Sequence, residues 1–217
     1  DHRDLHSFPT RRSSDLVGGR SGITRPADLV GKRLGVQFGS STHGAVMLYL
    51  KRHKLDPARV RLMNIPQKDL IEALQSGSID ALAASDPTPS QAQTKAKGAR
   101  ELACLSGLDN DYPLVIVASR AFANAHPEAI RAIVAGTRRA VQWIKKNPGA
   151  AAQELAPITG APVELELASL RKLEWWLRLD EGIIRSLSTT AAFLHSTGKL
   201  KQVPDIKALA RPEFLKP

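Results

Sequence analysis

Short apolar runs at residues 33–38, 60–65 and 79–84 alternate with stretches whose apolar residues recur at helical spacing. That alternation restricts the chain to an α/β sheet built from crossovers. The first run reads as a strand that breaks at Gly39. A helix over 41–53 follows, with Val46, Met47 and Leu50 facing inward and Lys51, Arg52 and Lys54 facing water. Asp56-Pro57 starts a turn, and 60–65 is the second strand. Strand, helix and strand within about thirty residues is the size of a right-handed parallel βαβ unit. The pattern then repeats. Helix 67–76 carries Leu70, Ile71 and Leu74 and is capped by Gly77. Strand 79–84 runs into Ser85-Asp86-Pro87-Thr88-Pro89, which can continue neither as strand nor as helix. A helix over 89–97 and a strand over 101–105 complete this sheet.

Beyond a polar connector, 113–119 (PLVIVAS) has the unbroken apolar character of a buried strand. The rest reads as helix: 127–146, 148–158, 163–173 and 181–197, then a tail over 200–217 with Pro204, Pro212 and only short apolar contacts. A lone strand followed by helices has nothing to pack on, so a second sheet is expected upstream.

Residues 6–16, HSFPTRRSSDL, look like the in-frame translation of a sequencing-adapter oligonucleotide, have no hydrophobic period and precede Gly18-Gly19. Residues 1–16 are therefore set aside as a disordered artefact, and 17–30 as a linker and the start of a crossover. On this reading the true N-terminus is lost, together with any signal peptide or lipid-attachment cysteine.

The formal charge of +10 raises nucleic acid as a partner. The basic residues are scattered, however, and the aromatics, 5% of the chain, are not interleaved with them. No nucleic-acid partner is expected; the charge belongs to solvated helix faces with a mild attraction for anions. Cys104 is the single cysteine, so no internal disulfide can form, and its apolar context reads as a buried, inert thiol. No apolar run reaches the ~20 residues that span a bilayer. Metal-ligand spacing, a nucleophile elbow and a phosphate loop are all missing, so neither cofactor nor metal is expected. Glu164, Glu166, Glu174, Asp180 and Glu181 fall in a polar rhythm and read as solvated surface, and Trp175 and Trp176 as packing anchors.

Gly39-Ser40-Ser41-Thr42, at the handover from strand to helix, leaves N–H groups unpaired where the helix dipole is positive, and hydroxyls add further donors. This is a nest for a small anion. The same residues serve equally as a simple helix cap. His43 lies one turn into the helix, and Asp86 precedes a proline, where turn chemistry is the ordinary role.

Three stretches carry a resemblance: ADLVGKRLGVQFGSSTH, then IPQKDLIEALQSGSIDALAASDP, then YPLVIVASRAFANAHPEAIRAIVAG. In this order they resemble the solute-binding proteins of ABC importers for nitrate, taurine and alkanesulfonates, over residues 23 to about 193. The resemblance implies an α/β periplasmic-binding-protein fold of the second type, with two lobes and ligand in the cleft between them. It places lobe two at 31–107 and the return into lobe one at 108–217, with the opening strands of lobe one missing. Carried over by position, Ser40, Ser41 and Thr42 fall on the anion-contacting turn, Gly39 opens it, and His43 matches beside it. Asp86 falls on the loop at the other side of the lobe-two wall. Many relatives carry aromatics where this chain has Gly44, Ser85 and Thr88, so the wall reads as stripped and more polar.

The implied function is non-enzymatic: binding of a small anion (sulfonate, taurine, nitrate or similar) and delivery to inner-membrane permease subunits, by a periplasmic monomer. Two alternatives share the fold. An enzyme of pyrimidine-precursor synthesis would need ligands such as a histidine-rich stretch, whereas the six histidines here are dispersed. The effector domain of a transcription regulator would need a DNA-binding helical module upstream.

Overall fold

The structure is a computed structural model that describes residues 3–10, 13–17, 21–105, 108, 110 and 112–216. The strands are β1 (Arg3–Thr10), β2 (Ser13–Val17), β3 (Arg33–Val36), β4 (Arg61–Asn64), β5 (Ala81–Ser85), β6 (Arg100–Cys104) and β7 (Pro113–Ser119). The helices are α1 (Ser41–Arg52), α2 (Leu70–Gln75), α3 (Thr88–Lys95), α4 (Arg120–Ala125), α5 (Pro127–Lys146), α6 (Pro148–Thr159), α7 (Val163–Lys172), α8 (Glu181–Ser196) and α9 (Ile206–Leu209). The chain divides into a sheet unit, Arg12–Asp109, and a helical unit, Asp1–Arg11 with Asn110–Pro217. The expected lobe boundary falls at 107/108.

In the sheet unit five strands lie in the order β4-β3-β5-β2-β6. β3 is parallel to both β4 and β5, as the α1 and α2 crossovers require, and β2 runs antiparallel between β5 and β6. Leu34, Val36 and Leu82 are at most 1% exposed, so the inner parallel strands β3 and β5 are buried, whereas β4, at the edge of the sheet, is largely exposed. Gly35 lets α2 approach β3 closely. A Cβ there would lie 2.7 Å from Ile79 Cδ1 and 2.9 Å from Leu70 Cδ2. At the amino ends of β3 and β5, the Arg33 side chain donates to both Asp80 oxygens, at 3.1 and 2.9 Å, and the Arg33 N–H adds a third bond at 2.8 Å.

β3 ends at Val36, two residues short of the expected 33–38, because side chains take over from the ladder. The Phe38 N–H donates to Asn64 Oδ1 at 2.9 Å, and Gln37 Oε1 accepts from the Gln67 N–H at 3.2 Å. A 3₁₀ turn over Gln67–Asp69 precedes α2, which is shorter than the expected 67–76. Cys104 is half-buried, not fully buried as its context implied, because β6 is the edge strand of its sheet.

The expected disorder over 1–16 does not describe residues 3–10 or 13–17. β1 pairs antiparallel with β7 from Arg3↔Ser119 to Thr10↔Pro113, and β2 pairs with two strands. Backbone pairing needs no hydrophobic period, and β7, which alternates between half-buried and exposed residues instead of being buried as its apolar run implied, supplies the edge that β1 pairs with. The sheet that β7 lacks in the sequence reading is thus a two-stranded one, β1-β7.

In the helical unit, Ser119 Oγ accepts from the Phe122 N–H and starts α4, a helix absent from the sequence reading. α5 lays Ile130 and Val134 against Ala123 and Phe214. The tail accordingly holds more than short contacts. Asp205 caps α9, and Phe214 is 3% exposed. Trp175 packs beside Ala151, Ala152 and Leu170, with its Nε1–H donating to the Leu170 carbonyl at 2.8 Å, while the Arg178 guanidinium lies 4.2 Å over Trp176. Glu166 departs from the solvated reading. It is buried and accepts a hydrogen bond from the Thr159 hydroxyl, whereas Glu164, Glu174, Asp180 and Glu181 are exposed.

Candidate functional site

The carboxyl ends of the parallel neighbours β3 and β5 carry the turn before α1 and the loop before α3. Gly39 has φ +73°, a left-handed conformation that glycine takes at little cost and that turns the chain from β3 into the helix. Ser40 is the N-cap of α1: its Oγ accepts from the His43 N–H at 3.1 Å and donates to the Gln37 carbonyl at 2.7 Å. The Ser40 hydroxyl is therefore engaged in shaping the turn. Ser41, the first residue of α1, is exposed, and at that position an N–H has no intrahelical acceptor. The first turn of α1 contains no acidic residue, so nothing there offsets the positive end of the helix dipole.

Thr42 is 4% exposed, and its Oγ1 lies 3.2 Å from Ser85 Oγ, which joins α1 to the end of β5. Gln67 braces the same loop, its Nε2–H₂ donating to the Ser85 carbonyl at 3.3 Å and to Thr88 Oγ1 at 3.0 Å. Of the positions where the resemblance leads one to expect aromatics, Gly44 and Thr88 are buried and Ser85 is half-buried. Ser85 and Thr88 take part in hydrogen bonds, so a polar network stands where rings were expected.

His43 Nδ1 accepts from the Gly39 N–H at 3.2 Å, which places the imidazole proton on Nε2. Burial holds its pKa below the ordinary histidine value, so the ring is neutral near pH 7 and can offer a donor without a formal charge. The ring also stacks parallel on Phe38, with centroids 4.6 Å apart and planes 7° from parallel.

Asp86 is placed differently. It is 4% exposed, and its Oδ1 accepts from the Ser90 hydroxyl at 2.6 Å within the first turn of α3. Its Oδ2 is buried and has no hydrogen-bond partner among the described residues. The structure thus places Gly39, Ser40, Ser41, Thr42 and His43 at one helix start, linked through Thr42 to Ser85, with Asp86 next in the chain after Ser85 at the carboxyl end of β5. Sequence reasoning missed Phe38, Gln67 and the bracing role of Ser85. Phe38 closes an apolar run and so reads as core, and Gln67 carries no local signal.

A groove of about 710 Å³ in the sheet unit lies elsewhere, at the amino ends of the strands, lined by Arg33, Asp80, Gln75 and Lys95 among others. Within it Arg33 and Asp80 pair with each other, at 2.9 Å. Among the described residues no group of three or more His, Cys, Asp or Glu side chains could hold a metal ion, and no helix is long and apolar enough to cross a membrane.

The NMT1/THI5-like family model matches residues 14–151, more than half of the chain and starting inside the segment set aside as adapter-like. The taurine-binding periplasmic protein of Escherichia coli is 26% identical over 206 residues, covering 88% of this chain. The chain spans 63% of that relative's length. The crystal structure of the periplasmic aliphatic sulphonate binding protein SsuA from Escherichia coli superposes with a TM-score of 0.83 at 22% identity, over 94% of this chain and 68% of that one. A desulfurization enzyme, DSZB, crystallised with biphenyl-2-sulfinic acid, superposes at 0.73 with 21% identity, over 99% of this chain and 78% of that one. The fold is therefore the α/β fold of periplasmic binding proteins, and a catalyst also uses it.

Proposed function

The chain belongs to the NMT1/THI5-like family, and from that premise we propose that it is the solute-binding component of an ABC importer. It binds a small anion, a sulfonate, taurine, nitrate or a similar species, and hands it to membrane permease subunits. One observation carries this reading. The Gly39–His43 turn sits at the carboxyl end of a parallel strand, where open α/β sheets take ligands, with hydroxyls and N–H groups at a helix start free of acidic residues. Ser41 and Thr42 contribute donors to the anion, with Gly39 and Ser40 setting the backbone and the His43 Nε2–H beside them. Asp86 holds the start of α3 through Ser90.

The protein works without a cofactor and without catalysis, as a periplasmic monomer. The names of the taurine- and sulphonate-binding periplasmic proteins support the binding role and the periplasmic location. Calorimetric titration of the 217-residue chain with taurine, hexanesulfonate, nitrate and sulfate tests the reading. At least one binds, and Ser41→Ala with Thr42→Ala weakens it by about 1–3 kcal/mol. Binding that is untouched by both substitutions removes the turn from the site. Turnover of a bound sulfonate, followed by sulfite release, would replace the transport reading by an enzymatic one.

A further inference from the structure

Resting on the anion-binding reading above, we propose that the Phe38 ring, backed by the His43 imidazole, is a platform that selects anions with an organic body over inorganic ones. Phe38 is 38% exposed, although two residues earlier in the same segment Val36 is fully buried. An aromatic ring left in water next to hydrogen-bond donors is the pairing that amphipathic ligands need: donors for the charged head, a flat apolar surface for the carbon body.

The ring is held in place from several directions. The Phe38 N–H is fixed by Asn64 Oδ1, and one ring face lies parallel to the imidazole at 4.6 Å. The imidazole in turn is fixed by the Gly39 N–H at Nδ1, while its own backbone N–H is capped by Ser40. Rotating Phe38 away would uncouple the stack. Phe38 immediately precedes Gly39, so the platform adjoins the anion turn. Gly44, Ser85 and Thr88, on the adjoining helix turn and loop, carry no rings, whereas the Phe38 ring is exposed beside the turn.

The test compares benzenesulfonate with sulfate on the 217-residue chain, by calorimetry and by proton NMR of benzenesulfonate in exchange with the protein. In Phe38→Ala the benzenesulfonate Kd rises about tenfold, the scale of losing an aromatic pair with its covered surface, and the sulfate Kd stays within about twofold. The bound benzenesulfonate protons are shifted upfield by the ring. Phe38→Leu, which keeps an apolar side chain, abolishes that shift. Unchanged far-UV circular dichroism melts confirm that both variants fold, as expected for an exposed side chain. Equal weakening of both anions, or of neither, overturns the platform while leaving the anion site standing. A wild-type chain that binds sulfate but not benzenesulfonate overturns it too. Failure of the wild type to bind any anion defeats the site itself, and the platform with it.

Discussion

Thr42 Oγ1 lies 3.2 Å from Ser85 Oγ, and this contact ties the first turn of α1 to the last residue of β5. Because β3 and β5 are adjacent and parallel, both strands deliver their loops to the same edge of the sheet. The hydroxyl pair fixes the spacing of those loops. Replacing Thr42 by Val keeps the shape and removes the bond. The variant should lose about 0.5–1.5 kcal/mol of unfolding free energy in urea titration, and anion affinity should fall with it. A variant as stable as the wild type would show that the pair contributes nothing.

Gly35 is a packing requirement and makes no contact with the proposed ligand. A Cβ at that position enters the space of the Ile79 and Leu70 methyl groups, both nearly fully buried. Overfilling a core of this kind costs about 1–3 kcal/mol. Gly35→Ala should therefore lower the urea midpoint, and Ile79→Val in the same chain should restore part of the loss by returning a methyl group's worth of room. Equal midpoints for wild type and Gly35→Ala would mean that α2 shifts at no cost.

The βαβ framework was legible because period and turn residues agree: Leu70, Ile71 and Leu74 mark one helix, and Ser85 to Pro89 can only turn. The Ser40 cap was legible for the same local reason. Strand ends were not, since Asn64 and Gln37 accept from N–H groups distant in sequence, and nothing near Phe38 announces them. Asp86 read as a turn residue at the cleft wall, but whether its carboxylate faces out or toward Ser90 depends on how the start of α3 seats, which spacing does not encode. β1 was illegible in principle: a strand without hydrophobic alternation is recognised only by the edge it pairs with, and that edge lies more than a hundred residues away, in β7.

The Arg33–Asp80 pair makes an acid-side prediction. Hydrogen bonds from the Arg33 side chain, then from its backbone N–H, hold the Asp80 carboxyl below its ordinary value, with partial burial opposing them. A carboxyl depressed in the folded state stabilises above its unfolded pKa, about 3.9, and loses that contribution as pH falls through the folded value. The stability difference between wild type and Asp80→Asn should accordingly be flat from pH 7 down to about 5 and shrink steadily below about 4. Urea midpoints at pH 7, 5 and 3 measure it. A difference independent of pH would assign the pair no electrostatic part.

His43 shifts stability in the same direction but nearer neutrality, and there it is protonation that creates the charge. Burial lowers its folded pKa below the ordinary value of about 6.5, so between the two values the unfolded chain binds more protons than the folded one. Stability therefore rises with pH through that window and levels off above it. Geometry adds a second consequence. Protonated Nδ1 can no longer accept from the Gly39 N–H, so acidification breaks the bond that seats the ring against Phe38. An NMR titration of the His43 ring protons should give a midpoint below 6.5, and the Gly39 amide resonance should move with the same midpoint. His43→Gln should remove the slope from the stability curve in this range. A His43 midpoint at or above 6.5 would contradict the buried, neutral ring on which the geometry of the turn rests.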